Sequence, residues 1–267
     1  PRFFLQRVLE MQLSETTERD QTERLFAPVG SSGIPPAPAG RDLPVELSPL
    51  ERWAVWNRLL QHRLDGRDSN SFSVVEQARD GLPPGALGHE YLESGELVVE
   101  ALLRARDATG VGSAEPREVP VEVVLRDGTV VFGSVRDDCG HTPGPVSTSM
   151  SKLKDKYRLQ AWLDLLALTA TEPDEPWRSV LLNRKDAKGA ITALELQMTG
   201  DEGASRRLAA VTALESAVEL LRMGLREPLP LFPNLSGELY RGRGSAKSWS
   251  GDAFPGDGED TWIRTAF

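Results

Sequence analysis

Residues Val119 to Leu168 read VPVEVVLRDGTVVFGSVRDDCGHTPGPVSTSMSKLKDKYRLQAWLDLLAL. Val121, Val123 and Leu125 alternate with Glu122 and Val124, the period of two expected of a strand with one buried face. Asp127-Gly128 separates two β-branched runs, a hairpin signal that predicts positive φ at both turn residues. The returning strand is Thr129 to Val135, and a Gly/Pro-rich loop leads to a short extended run, Val146 to Met150. Ser151 is placed to cap a helix carrying Leu153, Tyr157, Leu163 and Leu166 on one broad face. Upstream, Gly85 to Arg106 predicts a helix; downstream, Ser179 to Leu182 predicts a strand. The order helix, strand, strand, strand, helix, strand defines an α/β chain.

Working outward, Arg2 to Leu13 has helical spacing in Phe4, Val8 and Met11, and Ser14 to Asp42 is charged, then Gly/Pro/Ser-rich, the composition of a linker. Ser48-Pro49-Leu50-Glu51 is a helix start: serine caps, proline occupies the first turn, and glutamate reaches back. Trp53, Trp56, Leu59, Leu60 and Leu64 follow as an apolar stripe, read as core packing rather than base stacking. In the Gly85 to Arg106 helix, Leu87, Tyr91, Val98 and Leu102 face one way, and Gly95 is a weakening residue. Arg178 to Arg184 and Ala190 to Gln197 pair around Asp186 to Gly189. Glu202 to Met223 carries a helical stripe of Leu208, Val211, Leu214, Val218 and Leu221, stopped by Gly224. Beyond lie Pro228, Pro230 and Pro233, a short helix from Ser236 to Arg243, and an irregular Ser245 to Asp260. The expected division is an N-terminal helix and linker (1–47), an α/β core (48–225) and a loop-rich extension (226–267).

The 267 residues carry a net charge of -9, so the chain as a whole does not attract nucleic acid; such a role needs local basic patches or a larger assembly. A single cysteine, Cys139, excludes a disulfide framework and a four-cysteine cluster within the chain. No apolar run reaches the roughly 18 residues of a membrane span. The chain opens at Pro1 and reads as a fragment of a longer protein.

The element order resembles the core of the PD-(D/E)xK nuclease fold, and the motifs are similar to those of the carboxyl-terminal nuclease-like domain of RecC, the gamma subunit of exodeoxyribonuclease V, in its actinobacterial form. The similarity rests on the opening Pro1-Arg2-Phe3-Phe4-Leu5, on Leu43-Pro44-Val45-Glu46-Leu47 followed by Leu50-Glu51-Arg52-Trp53, on Leu159-Gln160-Ala161-Trp162, and on Gly224-Leu225-Arg226-Glu227-Pro228-Leu229-Pro230. The resemblance implies a mixed central sheet of the restriction-endonuclease type with flanking helices. It also implies a cytoplasmic, membrane-free place in the RecBCD helicase–nuclease, with RecB-like and RecD-like subunits and double-stranded or forked DNA ends as partners. The implied roles are DNA-end binding, strand splitting and scaffolding in double-strand break repair.

Nucleases of this fold converge carboxylates on Mg²⁺, with a lysine to activate water. Their aspartate after the second strand aligns with Arg136 in Gly133-Ser134-Val135-Arg136, a cation where a dication belongs. Their acid-x-lysine on the third strand aligns with Val146-Ser147-Thr148-Ser149-Met150, where Ser147 and Ser149 offer neither group. Their histidine at the start of the first helix aligns with His89. The expectation is a nuclease fold without catalytic residues or cofactor, inactive by itself within an exodeoxyribonuclease V complex. Two alternatives remain open. One is a divergent Mg²⁺ nuclease using Asp137, Asp138, Glu90 and His89; the other is a protein scaffold that never touches DNA.

Asp137, Asp138, Cys139 and His141 form a polar cluster, either a mixed-ligand metal site or a solvated, Asp-capped loop. Two acids beside Cys139 raise its pKa and argue against a thiol nucleophile. DNA contacts are expected from Arg136, from Lys152, Lys154, Lys156 and Arg158 after the third strand, and from Arg241, Arg243 and Lys247 near Trp249. A solvated face is the simpler reading of the lysines, and a loop ordered by a partner subunit explains the tail equally well.

Overall fold

The structure, a computed structural model, describes residues 47–79, 82–83, 85–111, 115–232, 235–242, 249–250 and 256–266. The expected helix at Arg2 to Leu13 and linker at Ser14 to Asp42 lie outside the described residues, as do Arg243 and Lys247. The chain forms two compact units, one of Val45–Leu220 and one that contains Leu221–Phe267.

The larger unit opens with helices α1 (Pro49–Leu64), α2 (Ser69–Ala78) and α3 (Ala86–Asp107). Ser48 and Glu51 close the reciprocal capping box expected of α1. Val55, Trp56, Leu59 and Leu60 bury the inward face of α1 against Phe72 of α2 and Leu92, Val98, Val99 and Leu102 of α3. The aromatic stripe is therefore core. Trp56 Nε1 donates to the Tyr91 carbonyl at 2.9 Å, which satisfies the one polar atom of the buried ring. Gly95 has a different role from the one expected: a Cβ there would lie 2.6 Å from Trp56 Cδ1. The glycine is what lets α3 approach the indole. Leu87 is exposed, so the inward face of α3 is Gly88, Leu92, Gly95, Val98, Val99 and Leu102.

Strands β1 (Arg117–Val124) and β2 (Val130–Asp137) form the antiparallel hairpin, in register from Arg117 opposite Asp137 to Val124 opposite Val130. The turn differs from the expectation. Only Gly128 has positive φ, and Asp127 does not. Leu125 bonds to both Thr129 and Gly128, a three-residue loop with glycine in the left-handed position. Asp127 instead accepts from the Thr129 N–H, a bond available to its side chain from an ordinary backbone.

Strand β3 (Val146–Ser149) runs parallel to β4 (Arg178–Arg184), which pairs antiparallel with β5 (Ile191–Gln197). The expected single mixed sheet is thus corrected: β1 and β2 form one sheet, and β3-β4-β5 a second, itself mixed. The reason is chemical. Where β3 begins, the Gly144 and Val146 N–H groups are taken by the side chains of Asp137 and Asp138 rather than by a neighbouring strand. A four-residue strand has few groups left to bridge both sheets.

Helix α4 (Asp155–Thr171) packs on both sheets. Its Leu165 and Leu168 meet Val119, Val121, Val135 and Trp177, while Leu166 and Ala170 meet Val123, Leu125, Ala210 and Leu214. Ala210 and Leu214 lie on α5 (Gly203–Gly224), whose Glu215 accepts the Arg126 N–H at the hairpin tip. Ser151 is not the cap of α4. The helix starts at Asp155 with Lys154 in the cap position and no side-chain bond, so Leu153 precedes it. Ser151 bonds the Tyr157 hydroxyl instead, which holds that phenol below its usual pKa.

In the smaller unit, α6 (Leu235–Tyr240) and α7 (Thr261–Ala266) accompany a 3-10 turn at Asp257–Glu259. Buried Asp257 accepts the Leu235 N–H at 2.7 Å, and Trp249 meets Phe232 edge-on at 5.3 Å. No described helix is long and apolar enough to cross a membrane.

Candidate functional site

The loop between β2 and β3 is built by two buried carboxylates. Asp137 Oδ1 accepts the Cys139 N–H at 2.9 Å and the Gly144 N–H at 2.7 Å, while Oδ2 accepts Arg117 Nε at 3.0 Å. Burial alone would raise the Asp137 pKa, but the Gly144 and Cys139 N–H groups and the Arg117 guanidinium outweigh it and hold it below the ordinary range. Asp138 Oδ2 accepts the Val146 N–H at 2.8 Å, and Oδ1 faces Arg136 Nε at 3.2 Å and Arg106 Nη2 at 3.4 Å. Arg106 Nη1 also donates to the Val146 carbonyl at 3.0 Å. Three arginines thus surround two acids.

This arrangement engages both carboxylates within the protein. A hard dication needs carboxylate oxygens free to face it. Here the oxygens of both acids point into their own loop and into guanidinium groups. Among the described residues no group of three or more His, Cys, Asp or Glu side chains is placed to hold a metal ion.

The other expected positions do not join the cluster. His89 is exposed on the first turn of α3, with Nε2 3.3 Å from exposed Glu93; Glu90 is exposed as well. His141 is exposed, and its backbone N–H is bonded to the Thr109 carbonyl. Ser147 is exposed, whereas Ser149 Oγ accepts the Ser151 N–H at 3.1 Å. Cys139 adopts φ 49°, and its thiol is pushed up, by burial first and by the Asp137 charge second. Its direction agrees with the expectation from the flanking acids.

Among the expected DNA contacts, Arg136 keeps a side chain 59% exposed while paired to Asp138. Lys152 and Lys154 are exposed in the segment before α4 rather than on it. Lys156 lies 4.9 Å from the Tyr157 ring centroid, and Arg158 is 3.4 Å from Asp155. Arg241 pairs with Glu238 at 2.7 Å. Two members of the loop cluster, Arg106 and Arg117, escaped the sequence reading. The hairpin register carried the signal for Arg117, since counting outward from the turn places it opposite Asp137.

A sequence model of the RecC C-terminal domain family matches residues 35–244. The chain is 33% identical over 189 residues to the RecBCD enzyme subunit RecC of Mycolicibacterium smegmatis, covering 71% of this chain and 16% of that protein. It is 32% identical over 193 residues to the subunit of the same name in Mycobacterium tuberculosis (strain ATCC 25618 / H37Rv), again covering 71% of this chain and 16% of the relative. The chain therefore spans 16% of the length of the curated relatives it matches. On the extent of the family match and the identity to these relatives, the chain belongs to the RecC C-terminal domain family.

Proposed function

We propose that this chain is the non-catalytic carboxyl-terminal domain of a RecC-like subunit, acting in the cytoplasm within a RecBCD-type helicase–nuclease during double-strand break repair. Its work is to bind DNA ends, help separate the strands and hold RecB-like and RecD-like subunits together; hydrolysis belongs to the partners. The observation that carries the non-catalytic part is the loop at Asp137 and Asp138. Both carboxylates are occupied by backbone N–H groups and by Arg106, Arg117 and Arg136. A site that has replaced its cation with guanidinium groups repels Mg²⁺ and suits a phosphate.

Arg136 is the phosphate contact of that site. Its Nε is engaged by Asp138, and the rest of a largely exposed guanidinium faces outward. Lys152 and Lys154, exposed on the segment leaving β3, extend the basic surface.

The test has two measurements. The chain incubated with single-stranded and duplex DNA in Mg²⁺ or Mn²⁺ leaves both intact. Forked duplex binds, and Arg136→Ala lowers the slope of log affinity against log salt by about 1, one phosphate contact. Metal-dependent cleavage abolished by Asp137→Ala overturns the non-catalytic reading, and no binding to forked DNA favours the scaffold without DNA contact.

A further inference from the structure

Arg52 on α1 and Arg184 at the end of β4 are half-buried arginines of the larger unit. Arg58, Arg63, Arg106, Arg117, Arg136 and Arg178 each meet a carboxylate. Neither Arg52 nor Arg184 forms an ion pair with a described residue. Each lies over an aromatic ring instead: Arg184 is 5.5 Å from the Trp56 ring centroid, and Arg52 is 5.0 Å from that of Tyr91. Trp56 Nε1 donates to the Tyr91 backbone carbonyl, which ties the two residues to one another. Trp56 is fixed further by Gly95 at its edge. Two guanidinium groups thus cover the rings of two residues that are hydrogen-bonded to one another.

They are close enough to oppose one another. Burial first, and the Arg52 charge second, push the Arg184 pKa down, while Asp186 offsets this only in part. Asp186 is committed to its own turn, accepting the Lys188 and Ala190 N–H groups. The Nε atoms of both arginines are buried without an acceptor among the described residues. Exposed Lys185 and Lys188 follow directly in the β4–β5 turn. In a chain of net charge -9, this is a local gathering of cations that Asp186 offsets only in part.

Like charges held together at rest are a cost, and an oxyanion between them removes it. Stacking fixes the plane of a guanidinium and leaves its N–H edge to make paired bonds with two oxygens. We propose that Arg52 and Arg184 form an oxyanion site for a phosphate of a nucleic-acid backbone, with Lys185 and Lys188 meeting adjacent phosphates. The site lies on elements other than the β2–β3 loop, and it rests on the DNA-binding part of the function proposed above. Adjacent lysines favour a ligand with anions at regular spacing over a single small anion.

The experiment titrates an oligothymidylate strand into the full chain over a range of salt. Arg52→Gln with Arg184→Gln weakens binding by at least about tenfold and lowers the salt slope by about 1.4, the value for two contacts to a single strand. Arg52→Lys with Arg184→Lys keeps the charges and loses the planar forks; it retains the slope, binds more weakly than wild type, and controls for folding. Arg136→Ala is measured alongside. Binding that responds to Arg136→Ala but not to either double variant overturns this site and leaves the proposed function standing. Absence of binding by the wild-type chain overturns both. Poly-glutamate that binds through the same two arginines, in place of the DNA strand, overturns the phosphate assignment and identifies an acidic protein partner.

Discussion

Replacing Asp137 by alanine removes the acceptor around which the β2–β3 loop is folded. The Gly144 N–H, which is buried, and the Cys139 N–H, which is half-buried, both lose Asp137 Oδ1. A buried donor left without an acceptor costs about 1–3 kcal/mol, with Gly144 toward the upper end and Cys139 toward the lower. Arg117 loses Oδ2, but its side chain is 55% exposed and regains water, so the ion pair adds about 0–1 kcal/mol. The total is about 3 kcal/mol, or a melting temperature lower by roughly 6–12 °C for a unit of this size. Asp137→Asn keeps one oxygen for the two N–H groups and costs about 1 kcal/mol. Urea unfolding followed by tryptophan fluorescence reads the change, with buried Trp177 reporting beside Arg117. The pH dependence has a definite sign. The Asp137 pKa is lower in the folded chain, so its stabilisation is complete above the unfolded carboxylate value of about 3.9. It is lost as pH falls through the folded value, and the gap between wild type and Asp137→Asn narrows in acid. Mg²⁺ leaves the unfolding midpoint of wild type unchanged, because the oxygens of Asp137 and Asp138 are engaged within the loop and by arginines. An Asp137→Ala variant within about 0.5 kcal/mol of wild type, or Mg²⁺ that stabilises wild type and not the variant, refutes a loop built on the Asp137 carboxylate.

Gly95→Val places a side chain against Trp56 and destabilises by about 1–3 kcal/mol, read as a lower melting temperature. Glu76→Gln removes the buried acid that accepts Arg58 Nε and Nη2 and lies 3.6 Å from Arg79; thermal unfolding falls by about 2 kcal/mol, discounted because Arg58 is partly exposed. Leu229→Asp with Leu231→Asp alters half-buried Leu229 and exposed Leu231, and weakens capture of a RecB-like or RecD-like subunit in a pull-down without shifting the melting temperature of the larger unit.

Much of the architecture follows from local chemistry and was legible along the chain. The alternation from Val119 to Leu125 fixes which face of β1 is buried, and the Gly128 turn fixes the register with β2. The Ser48–Glu51 box sets the start of α1, and the stripe through Trp56, Leu59 and Leu60 sets its inward face. At the candidate site, the absence of an acid-x-lysine between Val146 and Met150 and the presence of Arg136 are also direct readings. These features depend on neighbours within a turn or across one hairpin, so spacing encodes them.

What tertiary structure decided involves groups far apart in sequence. Two adjacent aspartates do not announce their partners in sequence; their bonds to Arg106 and Arg117 exist only in the folded chain. The division into two sheets follows from carboxylates taking the N–H groups at the start of β3, a competition invisible in a hydrophobic pattern. Gly95 looks like a defect in a helix until Trp56 is seen against it. The same holds for Arg52 and Arg184, separated by most of the larger unit and brought over the rings of two hydrogen-bonded residues by packing alone. Periodicity reports which side of an element turns inward, but not which distant side chain it meets, and the electrostatics of this chain are set by those meetings.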